Sequence, residues 1–305
     1  MALRVVVGAG GTGVPTALRF ADAGDEVRLI SRRGTGPDHP RITRIAADAT
    51  DTDRLTDLTT GAATLLNCAM PPYDRWPREW PPLAASLLTA AERTGADYVI
   101  VGNFYGYGPV TGPLTEDLPM APTSVKGRVR AQMWEDALAA HRAGRVRVTE
   151  VRASDLLGAR AASVFGFVVL PAVLAGDVVR YPGDLDAPHP WTYTGDVAAT
   201  LTAVSNSDVA WGRAWHVPSP NASVRQVATL LAEITGAPMP KLERLSRAAV
   251  TELGRSDPII AELPEVMYLD EQPLFLDSTV TEQTFGVTAS PLRKMLEEMV
   301  AAAQA

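Results

Sequence analysis

The chain has 305 residues, of which 46% are hydrophobic and 21% are charged, values that are ordinary for a globular protein. This length is enough for one large α/β domain or two joined ones. The net charge of −7 argues against a nucleic-acid-binding protein, which needs a basic face to displace counterions from phosphate; it also disfavours binding to anionic membranes.

Apolar runs alternate with helical patterns through the first half of the chain. The predicted strands cover residues 3–7, 27–31, 42–46, 63–67, 97–101 and 146–151. The predicted helices between them cover residues 14–23, 53–59, 83–94 and 125–142, and residues 70–80 are predicted to form a proline-rich loop. Repeated β-then-α units of this length imply right-handed crossovers and a doubly wound parallel sheet in an α/β fold.

The pattern changes after Leu157. A long apolar helix is predicted at 161–175, a small strand at 178–181, and a loop containing His189, Trp191 and Tyr193. Helices are expected at 196–205, 224–235 and 291–303, and a strand at 214–217. We therefore expect a first domain over residues 1–160 and a smaller C-terminal substrate-binding domain over 161–305, whose chain crosses back to the first near 190–210.

A glycine-rich turn follows the first predicted strand. It reads GAGGTG over residues 8–13, so Gly8, Gly10 and Gly13 fill the pattern G-x-G-x-x-G. The first glycine permits the tight turn, the second lets the backbone approach a pyrophosphate, and the third lets the helix pack closely on the strand. Because the turn joins a buried strand to a helix, it predicts a Rossmann domain whose Gly8, Gly10, Gly11, Thr12 and Gly13 surround the pyrophosphate of a nicotinamide cofactor.

The residues after the second predicted strand bear on which cofactor binds. Enzymes that use NAD place an acidic residue there to hold the ribose 2′-hydroxyl, whereas this chain has Ser31, Arg32 and Arg33. Guanidinium groups suit a 2′-phosphate, so NADP is favoured over NAD; alternatively, the two arginines only lie on a surface turn. Asp48, after the third strand, is expected at the adenine edge.

Cysteine and histidine usage argues against a disulfide framework and against a metal site. Cys68 is a lone cysteine, which fits a reducing compartment. The histidines lie without the spacing of zinc ligands, at His39, His141, His189 and His216. The N-terminal residues lack the features of a signal peptide, and no stretch has the roughly 20 apolar residues of a membrane span. We expect a soluble, cytoplasmic protein.

Several short segments occur in an order that is typical of one enzyme family. They are the glycine turn, DAT at 48–50, NCA at 67–69, YGYGP at 105–109, LTED at 114–117, PTS at 122–124, VRASD at 151–155, LG at 157–158, TGDVA at 194–198 and FGV at 285–287. With these segments the chain resembles the extended short-chain dehydrogenase/reductases, or NAD-dependent epimerase/dehydratase family, over nearly its whole length. The resemblance implies that Cys68 and Ala69 lie beside the nicotinamide. It also implies a homodimer through two long helices, although Met133 and Trp134 fit packing within one chain equally well.

The active-site residues of that family are replaced in this chain. Members carry a Ser or Thr and a Tyr-x-x-x-Lys pair on the long helix, and these positions fall on Val101, Lys126 and Arg130. Lys126 and Arg130 are four residues apart and so share a helical face. Lys126 could act as a general acid if burial and Arg130 weakened its hold on a proton, and Arg130 could bind the ribose or pyrophosphate.

Other candidates for proton transfer and substrate binding flank the predicted crevice. Asn103 and Tyr105 follow strand five, where the carboxyl ends of strands line the cleft, and together with Lys126 and Arg130 they form the catalytic set. The substrate contacts predicted from the loops are Tyr73, Trp76, Tyr107, His189, Trp191 and Tyr193. For each of these aromatic residues and for His189, simple packing is the alternative.

The function that we favour from the sequence is an NADP(H)-dependent oxidoreductase with a relocated proton donor, acting on a small, partly apolar metabolite. Hydride transfer needs the cofactor together with a group that supplies a proton or polarises the substrate. The alternatives are a non-redox tailoring enzyme on the same scaffold, such as a cyclase, isomerase or dehydratase, and a cofactor-sensing binding protein without catalysis.

Overall fold

The strands of the computed structural model, which describes residues 1–304, are numbered in chain order. They are β1 (Leu3–Val7), β2 (Glu26–Ser31), β3 (Ile42–Ala46), β4 (Thr64–Asn67), β5 (Asp97–Asn103), β6 (Val148–Ala153), β7 (Asp155–Leu157), β8 (Val179–Tyr181), β9 (His189–Tyr193), β10 (Ala214–His216), β11 (Asn221–Ala222) and β12 (Leu242–Arg244). Within the described chain, seven of them form one sheet in the order β10-β6-β5-β4-β1-β2-β3. Every neighbouring pair in this sheet is parallel, which confirms the predicted doubly wound architecture.

Helices cover both faces of the large sheet. In chain order, the helices of residues 1–304 are α1 (Gly13–Asp22), α2 (Thr52–Thr59), α3 (Trp76–Thr94), α4 (Val125–Arg142), α5 (Leu170–Ala175), α6 (Thr194–Ser205), α7 (Val224–Thr235), α8 (Arg247–Leu253), α9 (Thr279–Phe285) and α10 (Leu292–Gln304). On one face α1 and α6 bury Phe20 and Leu201; on the other, α2, α3 and α4 bury residues such as Leu87 and Trp134. None of the helices in residues 1–304 is long and apolar enough to span a membrane.

The C-terminal part has its own core. It contains the sheet β11-β9-β7 and the strand pair β12-β8, and its buried side chains include Phe165, Trp191, Leu231 and Met295. The chain also returns to the first part, because α6 packs against α1 and β10 joins the edge of the large sheet beside β6. The boundary at residue 160 stays a prediction.

Helix α3 begins earlier than its prolines suggest. Residues 70–80 were expected to form a loop, but a 3₁₀ turn at Tyr73–Arg75 leads directly into α3, which begins at Trp76. Pro77 lies in the first turn, where a backbone N–H has no partner within the helix, so the ring costs no hydrogen bond there. The early start buries Trp76 and Trp80 against the sheet.

Two expectations for the C-terminal part were wrong in detail. The single helix predicted at 161–175 is a π-helical turn at Phe165–Val169 followed by α5. Pro171 lies in the first turn of α5. Because proline has no N–H, it cannot donate the hydrogen bond that would continue an α-helix from the preceding turn. The predicted loop around Trp191 is strand β9, whose five residues are all buried; the proline at 190 is tolerated because β9 is short and pairs with β11 over two residues.

Candidate active site

The glycine turn packs tightly against the chain around it. Gly8 has φ +111°, and a Cβ placed on it would lie 2.3 Å from the carbonyl oxygen of Cys68. A Cβ on Gly13 would lie 1.8 Å from the carbonyl oxygen of Gly8, and one on Gly11 would lie 2.5 Å from that of Arg160. These glycines are therefore required for the close packing of β1, α1 and the loop after β7.

Gly10 differs from its neighbours because its Cα faces open space. A Cβ built there meets no atom within 4 Å, and the adjacent N-terminus of α1 has no side-chain cap from Thr12. Free N–H groups at a helix N-terminus, next to a backbone that a ligand can approach, form an anion site. The turn thus fits the pyrophosphate of a dinucleotide.

The residues that follow β2, together with Asp48 after β3, form a rim that is open to solvent. Ser31 accepts a hydrogen bond from the Thr35 amide at 3.1 Å, while Arg32 and Arg33 are exposed. The carboxylate of Asp48 accepts hydrogen bonds from the amide and hydroxyl of Thr50 at 2.9 and 2.8 Å, and these bonds lower its pKa, with Arg32 adding a smaller effect. The rim therefore carries two cations beside an ordered carboxylate.

Cys68 lies under the turn and not in an open cleft. Its side chain is buried, and burial raises the pKa of the thiol to about 12, so the thiol stays protonated at neutral pH and is a poor nucleophile. The amide of Ala69 donates to Asn67 Oδ1 at 3.2 Å. Both residues support the turn from the carboxyl end of β4.

Lys126 is fully buried but is not a free cation. Its Nζ forms ion pairs with Glu262 and with Glu265, the latter at 3.1 Å, and lies 4.5 Å from the centre of the Tyr73 ring. Glu265 also accepts hydrogen bonds from the first amides of α4, at Val125 and Lys126. The lysine therefore fastens the segment around residues 262–265 to the start of α4.

Arg130 is held between aromatic rings. Its guanidinium lies 4.5 Å from the Trp80 ring and 4.9 Å from the Trp76 ring, and Nη1 donates to the carbonyl oxygen of Val101 at 3.2 Å. Burial lowers the pKa of Arg130 to about 10, so it remains a cation at neutral pH. The side chain joins α4 to α3 and β5.

Two tyrosine hydroxyls meet beyond the end of β5. The hydroxyl oxygens of Tyr73 and Tyr105 are 3.0 Å apart, and the Tyr105 ring packs against Trp76. The amide of Tyr105 donates to Asn103 Oδ1 at 3.2 Å, which fixes the turn that carries it. Burial raises the pKa of both phenols, so both hydroxyls stay protonated and able to donate.

The other aromatic candidates have structural contacts. The hydroxyl of Tyr107 bonds Arg152 Nη1 and, at 2.7 Å, His216 Nε2, and Arg152 also pairs with Glu150. The indole N–H of Trp191 donates to the carbonyl of Ala222, and the Tyr193 hydroxyl donates to Glu298. The polar atoms of these three side chains are bonded within the protein, and their role as substrate contacts stays a prediction.

Replacing Tyr107 by Phe should lower the free energy of unfolding by roughly 1–3 kcal/mol, because Arg152 and His216 each lose a buried partner. Urea unfolding measures this directly. Tyr268→Phe is the matched control, since its half-buried hydroxyl makes one 3.3 Å bond to the carbonyl of Tyr105. Equal losses in the two variants would contradict the structural role of the Tyr107 network.

Two acidic residues that were not among the predicted site residues lie beside His189. The Nε2 atom of His189 lies 3.5 Å from Asp155 Oδ2, and its Nδ1 lies 3.9 Å from Asp270 Oδ1. Burial raises the pKa of both carboxyls, to about 6 for Asp155, and lowers that of His189 to about 4. Both carboxylates act on the phenol of Tyr105 as well, so the cluster adjoins the tyrosine pair.

Little in the sequence indicates these contacts in advance. Asp155 was noted only as part of the segment at 151–155, and Asp270 lies in a proline-rich stretch without a periodic pattern. The partners of Lys126, Glu262 and Glu265, come from the same stretch. The sequence feature that points to these contacts is the group of acidic residues between the prolines at 258 and 273.

The sequence and the architecture of this chain match those of known proteins. The sequence profile of the NAD dependent epimerase/dehydratase family matches residues 5–217, whereas no curated protein sequence gives a significant match. Among solved structures, MoeE5 in complex with UDP-glucuronic acid and NAD is 21% identical with a TM-score of 0.81, covering 100% of this chain and 99% of that one.

Two further solved structures share the fold. The Bordetella bronchiseptica enzyme WbmH in complex with NAD⁺ is 20% identical, with a TM-score of 0.78 and coverage of 100% and 98% of the two chains. The Bacillus cereus UDP-glucuronic acid 4-epimerase in complex with NAD is 16% identical, with a TM-score of 0.82 and coverage of 99% and 96%. The profile match and the glycine turn lead to one conclusion: the chain belongs to the NAD-dependent epimerase/dehydratase family.

Proposed function

We propose that the protein is an NADP(H)-dependent oxidoreductase that acts on a small, partly apolar metabolite and takes its proton from Tyr105 in place of the family's Tyr-Lys pair. The observation that carries the proposal is the cofactor cradle, which consists of the glycine turn at residues 8–13, the start of α1 and the residues after β2. Gly10 is open to a ligand at the N-terminus of α1, and two exposed arginines follow β2.

Each part of the cradle has a partner on a dinucleotide. The turn and the first amides of α1 suit the pyrophosphate, Arg32 and Arg33 suit a 2′-phosphate, and Asp48 lies where the adenine edge is expected. When bound, the nicotinamide supplies or accepts a hydride. Residues of the chain bind the phosphates and exclude water from the nicotinamide.

Among the predicted catalytic residues, Tyr105 is the one best able to donate a proton. Arg130 keeps its charge and is held between two indole rings, and an arginine does not give up a proton at working pH. Lys126 is bound by two carboxylates. Tyr105 keeps a protonated hydroxyl, and its neighbour Tyr73 can pass a proton to it across 3.0 Å.

The substrate class follows from the surroundings of the tyrosine pair. Tyr73, Tyr105 and the buried Trp76 present three aromatic rings packed on one another. Such rings favour an apolar body beside the polar atom that accepts the proton. Ketones, enones and imines with one polar atom meet this requirement.

The proposal is tested by following the loss of reduced-nicotinamide absorbance with NADPH and a panel of enones, ketones and imines. Turnover of at least one compound is expected. Tight NADPH binding without turnover of any panel member would count heavily against the reductase. Conversion that continues after the cofactor is stripped would instead indicate a non-redox enzyme on this scaffold.

The double variant Arg32→Ala/Arg33→Ala should weaken NADPH binding by roughly tenfold to a hundredfold, the effect of losing charge-assisted hydrogen bonds, and leave NADH binding nearly unchanged. Fluorescence titration of both reduced cofactors measures the two affinities. Arg54→Ala, which removes an exposed arginine on α2, is the matched control. An equal loss of NADPH and NADH affinity would contradict 2′-phosphate recognition.

A further inference from the structure

Asp155, His189 and Asp270 form a cluster in which one buried ring nitrogen is unpaired. His189 is 3% exposed, yet its Nε2 atom is buried without a hydrogen-bond partner in the described chain. The atom faces Asp155 Oδ2 at 3.5 Å. A buried polar atom left unpaired in this way is costly, so the cluster is built for something that the protein atoms do not supply.

The imidazole of His189 lies between two carboxyl groups, with Nε2 3.5 Å from Asp155 Oδ2 and Nδ1 3.9 Å from Asp270 Oδ1. In a neutral imidazole one nitrogen donates and the other accepts, so the ring can donate a proton to only one of these carboxylates. The other nitrogen then faces a carboxylate oxygen with its lone pair, and a cation between the two acceptors pairs with both.

Both carboxylates also lack a cation. Within residues 1–304, neither Asp155 nor Asp270 pairs with a lysine or arginine, and His189 is the basic side chain within 4 Å of each. A single proton shared by Asp155 and His189 would satisfy one of the two acidic groups. Asp270 would still lie 3.9 Å from Nδ1 of His189 without a cation of its own.

We propose that Asp155, His189 and Asp270 form a binding site for a divalent transition-metal ion of the Zn²⁺ or Co²⁺ type. One atom from each residue lies within 4.8 Å of the others. Metal–ligand bonds of about 2.1 Å place two ligands of a tetrahedral ion about 3.4 Å apart, which matches the 3.5 Å between Nε2 and Asp155 Oδ2. The imidazole ligand favours these ions over Mg²⁺ and Ca²⁺, which prefer oxygen atoms.

The backbone holds the three ligands in place. Asp155 and His189 lie on the paired strands β7 and β9, and the imidazole ring packs against Trp191 with ring centres 4.2 Å apart. The carbonyl oxygen of Asp270 accepts the amide of Asp184 at 2.8 Å. The side chain of Asp155 is 36% exposed, so an ion can enter, and three protein ligands leave a position for water or substrate.

Histidine spacing along the sequence gave no hint of this site, because its ligands come from three separate parts of the chain. The inference does not depend on the proposed reaction. Metal binding and NADPH turnover are measured separately, so either can fail without the other.

The test uses the full chain, free of any affinity tag and treated with a chelator, and titrates Zn²⁺, Co²⁺ and Mg²⁺ by calorimetry with metal analysis of the dialysed protein. We expect one Zn²⁺ or Co²⁺ per chain and much weaker binding of Mg²⁺. Asp270→Asn and His189→Gln should each weaken Zn²⁺ binding by roughly a hundredfold or more, since even outer-shell changes cost tenfold to a hundredfold.

His39→Gln is the matched control, because His39 also lies beside a carboxylate, with its Nε2 3.3 Å from Asp22, but at the surface. Zn²⁺ binding that is lost in this variant and kept in His189→Gln would overturn the proposal. So would the absence of a stoichiometric site, or thermal stabilisation by methylammonium with none by Zn²⁺, which would make the cluster an ammonium site.

One measurement on the unmodified chain keeps the test valid if a variant fails to fold. Zn²⁺ added to protein labelled with ¹⁵N-histidine should shift the Nε2 resonance of His189 and leave that of buried His216 in place. A shift confined to the surface residue His39, or no shift at one equivalent of Zn²⁺, would contradict the assignment.

Discussion

Replacing Gly10 by Glu should abolish NADPH binding, with an affinity loss of roughly a hundredfold or more, equivalent to about 3 kcal/mol, and leave the protein folded. A side chain at this position meets no protein atom within 4 Å. It would instead occupy the space where the pyrophosphate lies and add a negative charge to the N-terminus of α1. Calorimetric titration with NADPH measures the loss.

The controls for this variant separate the effect of the added negative charge from that of the added side-chain volume. Gly10→Ala should weaken binding less, and Gln304→Glu, which adds the same charge on the exposed end of α10, should bind normally. All three should unfold within a degree or two of the parent, because none of them disturbs packing. Full NADPH affinity in Gly10→Glu would mean that the dinucleotide does not bind at the turn.

Replacing Tyr105 by Phe should lower kcat by roughly a hundredfold to ten-thousandfold, the usual contribution of a general acid, with NADPH affinity unchanged. The hydroxyl of Tyr105 is the donor in the proposed reaction, whereas its ring packing against Trp76 survives the change. Single-turnover kinetics with NADPH and an accepted panel compound measures the chemical step apart from binding.

Tyr73→Phe is the comparison variant, because it removes the other hydroxyl of the same pair. We expect a smaller loss, since Asn103 and Tyr268 still fix the turn that carries Tyr105. The opposite order of losses would make Tyr73 the donor. An unchanged kcat in Tyr105→Phe would remove this residue from the mechanism.

Lys126 and Arg130 are both bound within the framework of the fold. Lys126 binds Glu262 and Glu265 and so holds the segment around residues 262–265 against the start of α4. Arg130 is held by Trp76 and Trp80. A tyrosine at position 126 could not pair with these two carboxylates, which supports the proposal that the proton comes from Tyr105.

The cofactor turn could be predicted from the sequence because its determinants are local. A buried strand, the spacing of Gly8, Gly10 and Gly13, and a helix start occupy one short stretch. Gly8 and Gly13 each meet a steric requirement of that stretch, whereas Gly10 leaves open space beside it. The parallel sheet was predictable for a similar reason, since the alternation of strands and helices restricts the connections between them.

The cleft could not be predicted in the same way, because its contacts join distant segments. Nothing near Lys126 in the sequence shows that Glu262 and Glu265 neutralise it, and nothing near His189 points to Asp155 and Asp270. Strand β9 was mistaken for a loop because proline and histidine are uncommon in strands. Pairing with β7 and β11 overrides that local preference.

The most direct test of the central claim, that this chain binds a nicotinamide cofactor and uses it, is the fate of the transferred hydrogen. NADPH deuterated at C4 of the nicotinamide is incubated with the panel of ketones, enones and imines, and the products are examined by mass spectrometry. We predict one deuterium in the reduced product for one face of the labelled cofactor. Product that forms without deuterium from either face, at the same rate after the cofactor is stripped, would contradict the claim.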